Sequence, residues 1–206
     1  MDALLQLSRA IDALTTRIGK IAAWAILAAV LVSAVNALVR KAFGTSSNAW
    51  LELQWYLFGA VFMLCAAWTL KDNEHIRIDI VSNRLSKRGR DAIDVFGHLF
   101  FLLPFVAVML YLSAPFFWHA YRSGERSASA GGLILWPAKG LILGGFILLA
   151  LQALSELIKR IAILRGAIED EPARGGHQAA AEAEAERLLG ELADADRLSG
   201  IVKVDK

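Results

Sequence analysis

Four stretches of the chain, residues 21–39, 53–70, 95–121 and 133–155, contain a single Lys between them and no Asp, Glu or Arg. At 1.5 Å of rise per residue, a helix of about 20 residues crosses the ~30 Å hydrocarbon layer of a bilayer. The pattern predicts an all-α integral membrane protein with four transmembrane helices. Hydrophobic residues make up 56% of the chain, mean hydropathy is +0.47, and the 20% of residues that are charged gather in the gaps between the runs. A soluble domain with a rich core would carry charges every few residues within each helix.

Ahead of the first run, Leu4, Leu7, Ile11, Leu14 and Ile18 recur at spacings of three and four, while Asp2, Arg9, Asp12, Arg17 and Lys20 occupy other faces. That spacing predicts an amphipathic interfacial helix over 1–20, lying at the membrane surface and feeding into the first span. Val35-Asn36-Ala37 has the small residues of a signal-cleavage site. The run is nevertheless longer than the usual 7 to 15 residues of a signal core and starts late, at residue 21, so it is expected to stay as an anchor.

With four spans, both termini and the second connection share one side. Short segments there hold Arg9, Arg17, Lys20, Lys71, Arg77, Arg84, Lys87, Arg88, Arg90, Lys159, Arg160 and Arg165, against Arg40, Lys41, Arg122, Arg126 and Lys139 on the other. The positive-inside rule then places both termini in the cytoplasm. After the four-helix domain over 21–166, residues 167–206 change character: ten acidic residues outnumber five basic ones. Pro172 and Gly175-Gly176 mark a linker, and the Ala/Glu/Leu-rich stretch 178–192 reads as a solvated cytoplasmic helix.

Polar groups inside a bilayer are costly, so each needs a reason. Asn36 lies about one turn before the outer end of the first helix and Glu52 just inside the outer end of the second, at similar depth. A cluster of Asn36, Arg40 and Glu52 is expected to close the first outer hairpin. In the last run, Gly140 and Gly144, with Gly145 adjacent, have the spacing that lets two helix backbones approach closely. Lys139, beside Trp136, is placed to snorkel to the headgroups. The six Trp residues fall mostly near span ends, where amphipathic rings are favoured. Pro104, deep in the third run, removes a backbone donor and predicts a bend. The lone Cys65 allows no intrachain disulfide. No Gly-rich phosphate loop is present, so the chain is not read as hydrolysing nucleotide. The rival reading is a haem-binding four-helix membrane anchor of a redox complex. His75 and His98 would both lie toward the cytoplasmic face, but no second His matches either in depth within the lipid.

Directly after the second run, Lys71-Asp72-Asn73-Glu74-His75-Ile76-Arg77-Ile78-Asp79-Ile80 resembles the His-x-Arg-x-Asp signature of the small membrane subunit of tripartite ATP-independent periplasmic (TRAP) transporters. Asn48-Ala49-Trp50-Leu51-Glu52-Leu53-Gln54-Trp55-Tyr56 looks like that family's opening of helix two, and Gly124-Glu125-Arg126-Ser127 like its outer-loop Glu near a Ser. Trp136-Pro137, followed by Gly145-Phe146, Leu148-Leu149 and Leu151-Gln152, looks like its final helix. The likeness covers about residues 18–166. It departs where Leu143-Gly144-Gly145-Phe146 replaces a usual Pro-x-Gly-Phe, and where the acidic tail extends past the family's end.

The resemblance implies a bacterial inner-membrane scaffold without a cofactor of its own. A large multi-span transport subunit would carry solute and sodium, and a periplasmic solute-binding protein would deliver the solute, by family default a carboxylate-bearing acid. Membrane lipid is the other expected partner, and no nucleic acid is. No ionised group lies near the midplane of the runs, where secondary transporters bind substrate, so the chain is not expected to transport alone. His75 and Asp79 share a face if the loop is helical, and His75, Arg77 and Asp79 align if it is extended; either way they are expected to stabilise the fold or a subunit contact.

Overall fold

The protein is represented by a computed structural model that describes residues 2–45, 47–72, 87–166, 168 and 187. Its helices are α1 (Asp2–Phe43), α2 (Asn48–Lys71), α3 (Lys87–Gly97), a π-helical turn (His98–Leu102), α4 (Leu103–Ser123) and α5 (Trp136–Leu164). They belong to one compact unit. Four stretches, Ala3–Phe43, Asn48–Lys71, Ala92–Ser123 and Trp136–Leu164, are long and apolar enough to cross a membrane. The third joins the end of α3, the π turn and α4 without a break. Residues 73–86, which include His75, Arg77 and Asp79, lie outside the described residues, as does the acidic tail apart from Ile168 and Arg187.

α1 passes residue 20 without interruption and is one helix of 42 residues. At 1.5 Å per residue it is about 63 Å long, twice the hydrocarbon thickness. Of the leucine and isoleucine stripe, Ile11 is buried, and Leu4, Leu7 and Leu14 point outward. The inward positions are instead Ser8, Thr15, Ala22, Ala29 and Asn36, spaced every seven residues. A strict seven-residue repeat keeps one seam facing its partners in a left-handed supercoil. Its small and polar members are the kind that let helices meet closely in lipid.

Local chemistry sets the ends. Gly44 and Gly124 stop α1 and α4 in left-handed conformations, φ +67° and +62°, with their amides donating to the Arg40 and Ala120 carbonyls. Glycine adopts that conformation without steric cost. Ser47 precedes α2 and accepts the Ala49 amide at 3.3 Å. Pro137 sits in the first turn of α5, where its missing N–H costs nothing.

α5 is the hub. It packs against α1, α2, α3 and α4, and α1 and α2 also pack on each other. Among the described residues, α3 and α4 make their extensive helix contacts with α5. Three glycines mark the closest approaches. A Cβ on Gly19 would meet the Trp68 ring at 2.7 Å, one on Gly145 would meet Met63 Cβ at 2.7 Å and its carbonyl oxygen at 2.8 Å, and one on Gly140 would meet Phe117 at 3.2 Å. Gly144 has nothing within 4 Å. The expected Gly140/Gly144 seam is therefore split: Gly140 faces α4 and Gly145 faces α2, because one residue of offset turns a helix position by 100°.

The bend expected at Pro104 takes the form of the π turn two residues before it. There the Leu103 amide donates to the His98 carbonyl, five residues back. Proline cannot donate to the carbonyl four residues earlier, and inserting one extra residue is a known way for a helix to absorb that defect. A second proline inside the span, Pro115, lies in α4.

Gly145→Ala forces a methyl group against α2 backbone and is expected to destabilise the unit by about 1–3 kcal/mol, the usual cost of overpacking. Gly144→Ala enters open space and should leave stability unchanged. Thermal unfolding of the two detergent-solubilised variants side by side tests the asymmetry.

Candidate functional site

Two polar clusters tie the helices together, one at each end of the unit. At the end that holds the α1–α2 and α4–α5 connections, buried Glu52 on α2 grips the loop between α4 and α5. One carboxylate oxygen accepts the Ser127 hydroxyl, and the other accepts the Leu133 amide at 2.7 Å. The loop is itself cross-braced. Arg126 and Ile134 form an antiparallel bridge, the Ser127 amide donates to the Leu133 carbonyl at 2.9 Å, and the Leu135 amide donates to the Glu125 carbonyl at 2.8 Å. Gly132 lets the two strands of the loop close over the carboxylate, since a Cβ there would meet Ser127 Cβ at 2.5 Å and Glu52 Oε1 at 3.0 Å.

Other α2 side chains reach the same loop. The Asn48 amide donates to the Ala130 carbonyl at 3.1 Å, and the Tyr56 hydroxyl donates to the Ile134 carbonyl at 3.0 Å. Glu52 thus closes the second hairpin, not the first. Asn36 is buried on the α1 seam, Arg40 is exposed, and the partners of Glu52 come from the loop. Equal depth did not bring the three together, because azimuth around the helices decides which groups meet. A buried carboxylate accepting two hydrogen bonds is well compensated, whereas an uncompensated one in lipid is costly.

Glu125 and Lys139 form an ion pair of 2.5 Å, with the Lys139 ammonium 4.0 Å from the centre of the Phe116 ring. Lys139 therefore turns into the protein and is 12% exposed, in contrast to the expected snorkelling. Trp136 meets Tyr121 edge-on at 5.7 Å, and Trp50 is exposed at the start of α2.

The opposite end, where Asp2 and Leu164 lie, carries a second cluster. Ser8 and Ser155 exchange a 2.7 Å hydrogen bond across α1 and α5. Asp12 accepts from Gln152 at 2.8 Å, from Ser155 at 2.8 Å and from Lys159 at 3.1 Å. Lys159 also pairs with Glu156 at 2.5 Å, and Arg160 pairs with Asp94 of α3 at 3.4 Å. Gln152 and Ser155 are wholly buried. No part of this cluster was expected from the sequence, although a signal was present: Ser8, Asp12 and Thr15 line one face of α1, and Gln152, Ser155, Glu156 and Lys159 one face of α5.

Two described histidines share the third span. His98 hydrogen-bonds the Asp94 carbonyl through Nδ1 at 2.7 Å, and His119 lies 21 residues further on, about 32 Å along the helix path. They cannot flank one haem. Among the described residues there is also no group of three or more metal-ligating His, Cys, Asp or Glu side chains.

Comparison with protein families decides the identity. A family model described as "Tripartite ATP-independent periplasmic transporters, DctQ component" matches residues 29–162. The chain belongs to that family. It is the small membrane subunit of a TRAP transporter, a multi-pass membrane protein and a transporter component, not a member of an enzyme family. No individually curated protein matches it. In this TRAP subunit the match spans the whole Glu52 clamp and the α5 half of the second cluster, and it starts after Ser8 and Asp12.

Glu52→Ala should release the α4–α5 loop, raising amide exchange at Leu133 by roughly ten- to a hundredfold, as expected for a lost hydrogen bond to a charged group worth about 1.5–3 kcal/mol. Hydrogen–deuterium exchange read by mass spectrometry measures it. For the second cluster, a double-mutant cycle of Asp12→Asn and Lys159→Met on thermal unfolding should show favourable coupling of about 0.5–2 kcal/mol. Strict additivity would mean that the pair holds nothing together.

Proposed function

We propose that this TRAP small subunit is the fixed scaffold of a sodium-gradient-driven, binding-protein-dependent importer of small, carboxylate-bearing solutes in the bacterial inner membrane. It steadies the large transport subunit, which carries solute and sodium, and helps to dock the periplasmic solute-binding protein. Both termini and the Asp12–Lys159 cluster lie on the cytoplasmic side, in line with the excess of Lys and Arg in the short segments there. The Glu52 clamp then faces the periplasm. The first turns of α1 run along the cytoplasmic boundary with Leu4, Leu7 and Leu14 toward lipid.

The observation that carries this reading is where the charged side chains are spent. Among the described residues, the ionised groups in helix contacts, Glu52, Lys139, Asp12, Glu156, Lys159, Asp94 and Arg160, sit at the two ends of the spans and bind other parts of the chain. A carrier needs polar groups near the bilayer midplane that are open to solute. Here the described ionised groups in helix contacts lie away from that depth and hold helices and a loop together, as suits a rigid brace.

Proteoliposomes test the reading directly. The small subunit alone should give no uptake of a dicarboxylate or other organic acid. Adding the large subunit and the loaded binding protein should give uptake that collapses when the inward sodium gradient is removed. Uptake by the small subunit alone would overturn the scaffold role.

A further inference from the structure

We propose that the face of α4 centred on Tyr111 is the surface against which the large transport subunit packs. The inference rests on the scaffold reading above and specifies which side of the scaffold carries the load.

α4 buries Val106, Ser113 and Ala120, a seven-residue seam. Its extensive helix contacts among the described residues are with α5. The opposite face presents Pro104, Val108, Tyr111, Pro115 and Trp118, all exposed. Tyr111 is 80% exposed, more than any other large apolar side chain described. It lies 12 residues, about 18 Å, from the end of α4 at Ser123, and 17 residues, about 26 Å, from Asp94, whose carboxylate pairs with Arg160. Trp118, with the Arg122 guanidinium 5.0 Å above its ring, stands two turns nearer the periplasmic end. The Tyr111 phenol is thus close to the bilayer midplane, too deep for its ring to reach the headgroups.

Two polar groups of this one residue lack a donor or acceptor at that depth. Among the described residues the hydroxyl has no hydrogen-bond partner. The backbone carbonyl of Tyr111 also loses its usual helical donor, because the residue four positions on is Pro115, which has no N–H. Hydrocarbon offers neither a donor nor an acceptor. The other outward faces differ. Mid-span, α1 shows Leu27 and Leu31, and α2 shows Phe58 and Phe62, the last 77% exposed, all hydrocarbon and all suited to lipid tails. A neighbouring transmembrane helix bearing a hydrogen-bonding side chain fits the Tyr111 face, and the multi-span partner of a TRAP small subunit supplies such helices.

The test uses the full chain produced together with its large subunit in membranes. Photocrosslinking from p-benzoyl-phenylalanine placed at position 111 should give a small-subunit to large-subunit adduct, and the same probe at position 62 should give none. Tyr111→Phe keeps the ring and removes only the hydroxyl. It should make the purified complex dissociate about three- to twentyfold more readily, the range that membrane hydrogen bonds span, while Phe62→Leu should not. An adduct from position 62 and not from 111, an adduct joining two copies of this chain, or unchanged dissociation of Tyr111→Phe would each overturn the assignment. If the unaltered chain retains no large subunit at all, the scaffold reading fails first and this inference falls with it.

Discussion

In a bilayer the hydrophobic effect gives helices no reason to stay together, because lipid tails are as apolar as leucine. Cohesion then depends on close backbone approach and on the few polar pairs that have nowhere else to go. In this subunit both converge on α5. Gly145 lets it meet α2, Gly140 lets it meet α4, and Gln152, Ser155 and Lys159 fasten it to α1. Among the described residues, the third span leans on α5 and has little other support. Among the described helices this arrangement, with one central helix and the third span resting chiefly on it, differs from a closed bundle in which each helix touches two neighbours.

The two polar clusters do different mechanical work. The Glu52 clamp fixes a loop: a single carboxylate organises the Ser127–Leu133 segment through one hydroxyl and one amide, with Asn48 holding its middle at Ala130 and Tyr56 its end at Ile134. The Asp12–Lys159 cluster fixes two helices, setting their relative height and rotation through directional bonds. Both sit at the membrane boundaries, where some water is available and the cost of a charge is lowest. The middle of the unit is left to van der Waals packing of small residues.

Much of the architecture was legible before any coordinates. Four runs of membrane length holding one Lys between them could hardly be anything else, and the resemblance in four short segments pointed to the family that the family model matches. The site was harder. Glu52 was singled out because a carboxylate at that depth needs partners, yet those partners sit in a loop that folds back, and loop conformation leaves little trace in residue spacing. At the start of α1, the segment expected to lie at the membrane surface and the first span are one continuous helix. The leucine stripe stays on the exposed side, with Leu4, Leu7 and Leu14 outward, while Ser8 and Thr15 face the other helices. The partner stripe on α5 was equally visible as Gln152, Ser155, Glu156 and Lys159. It was overlooked because complementarity is read only when two helices are compared.

The π turn ahead of Pro104 has a further consequence. One added residue advances everything on its N-terminal side by about 100° relative to an uninterrupted α-helix. That phase shift sets the azimuth of Asp94, which meets Arg160 on α5, while Val106 and Ser113 keep their own seam on the same helix. The proline defect therefore acts as a vernier, letting one span present correctly aligned contacts at two heights where a regular helical pitch would satisfy only one of them.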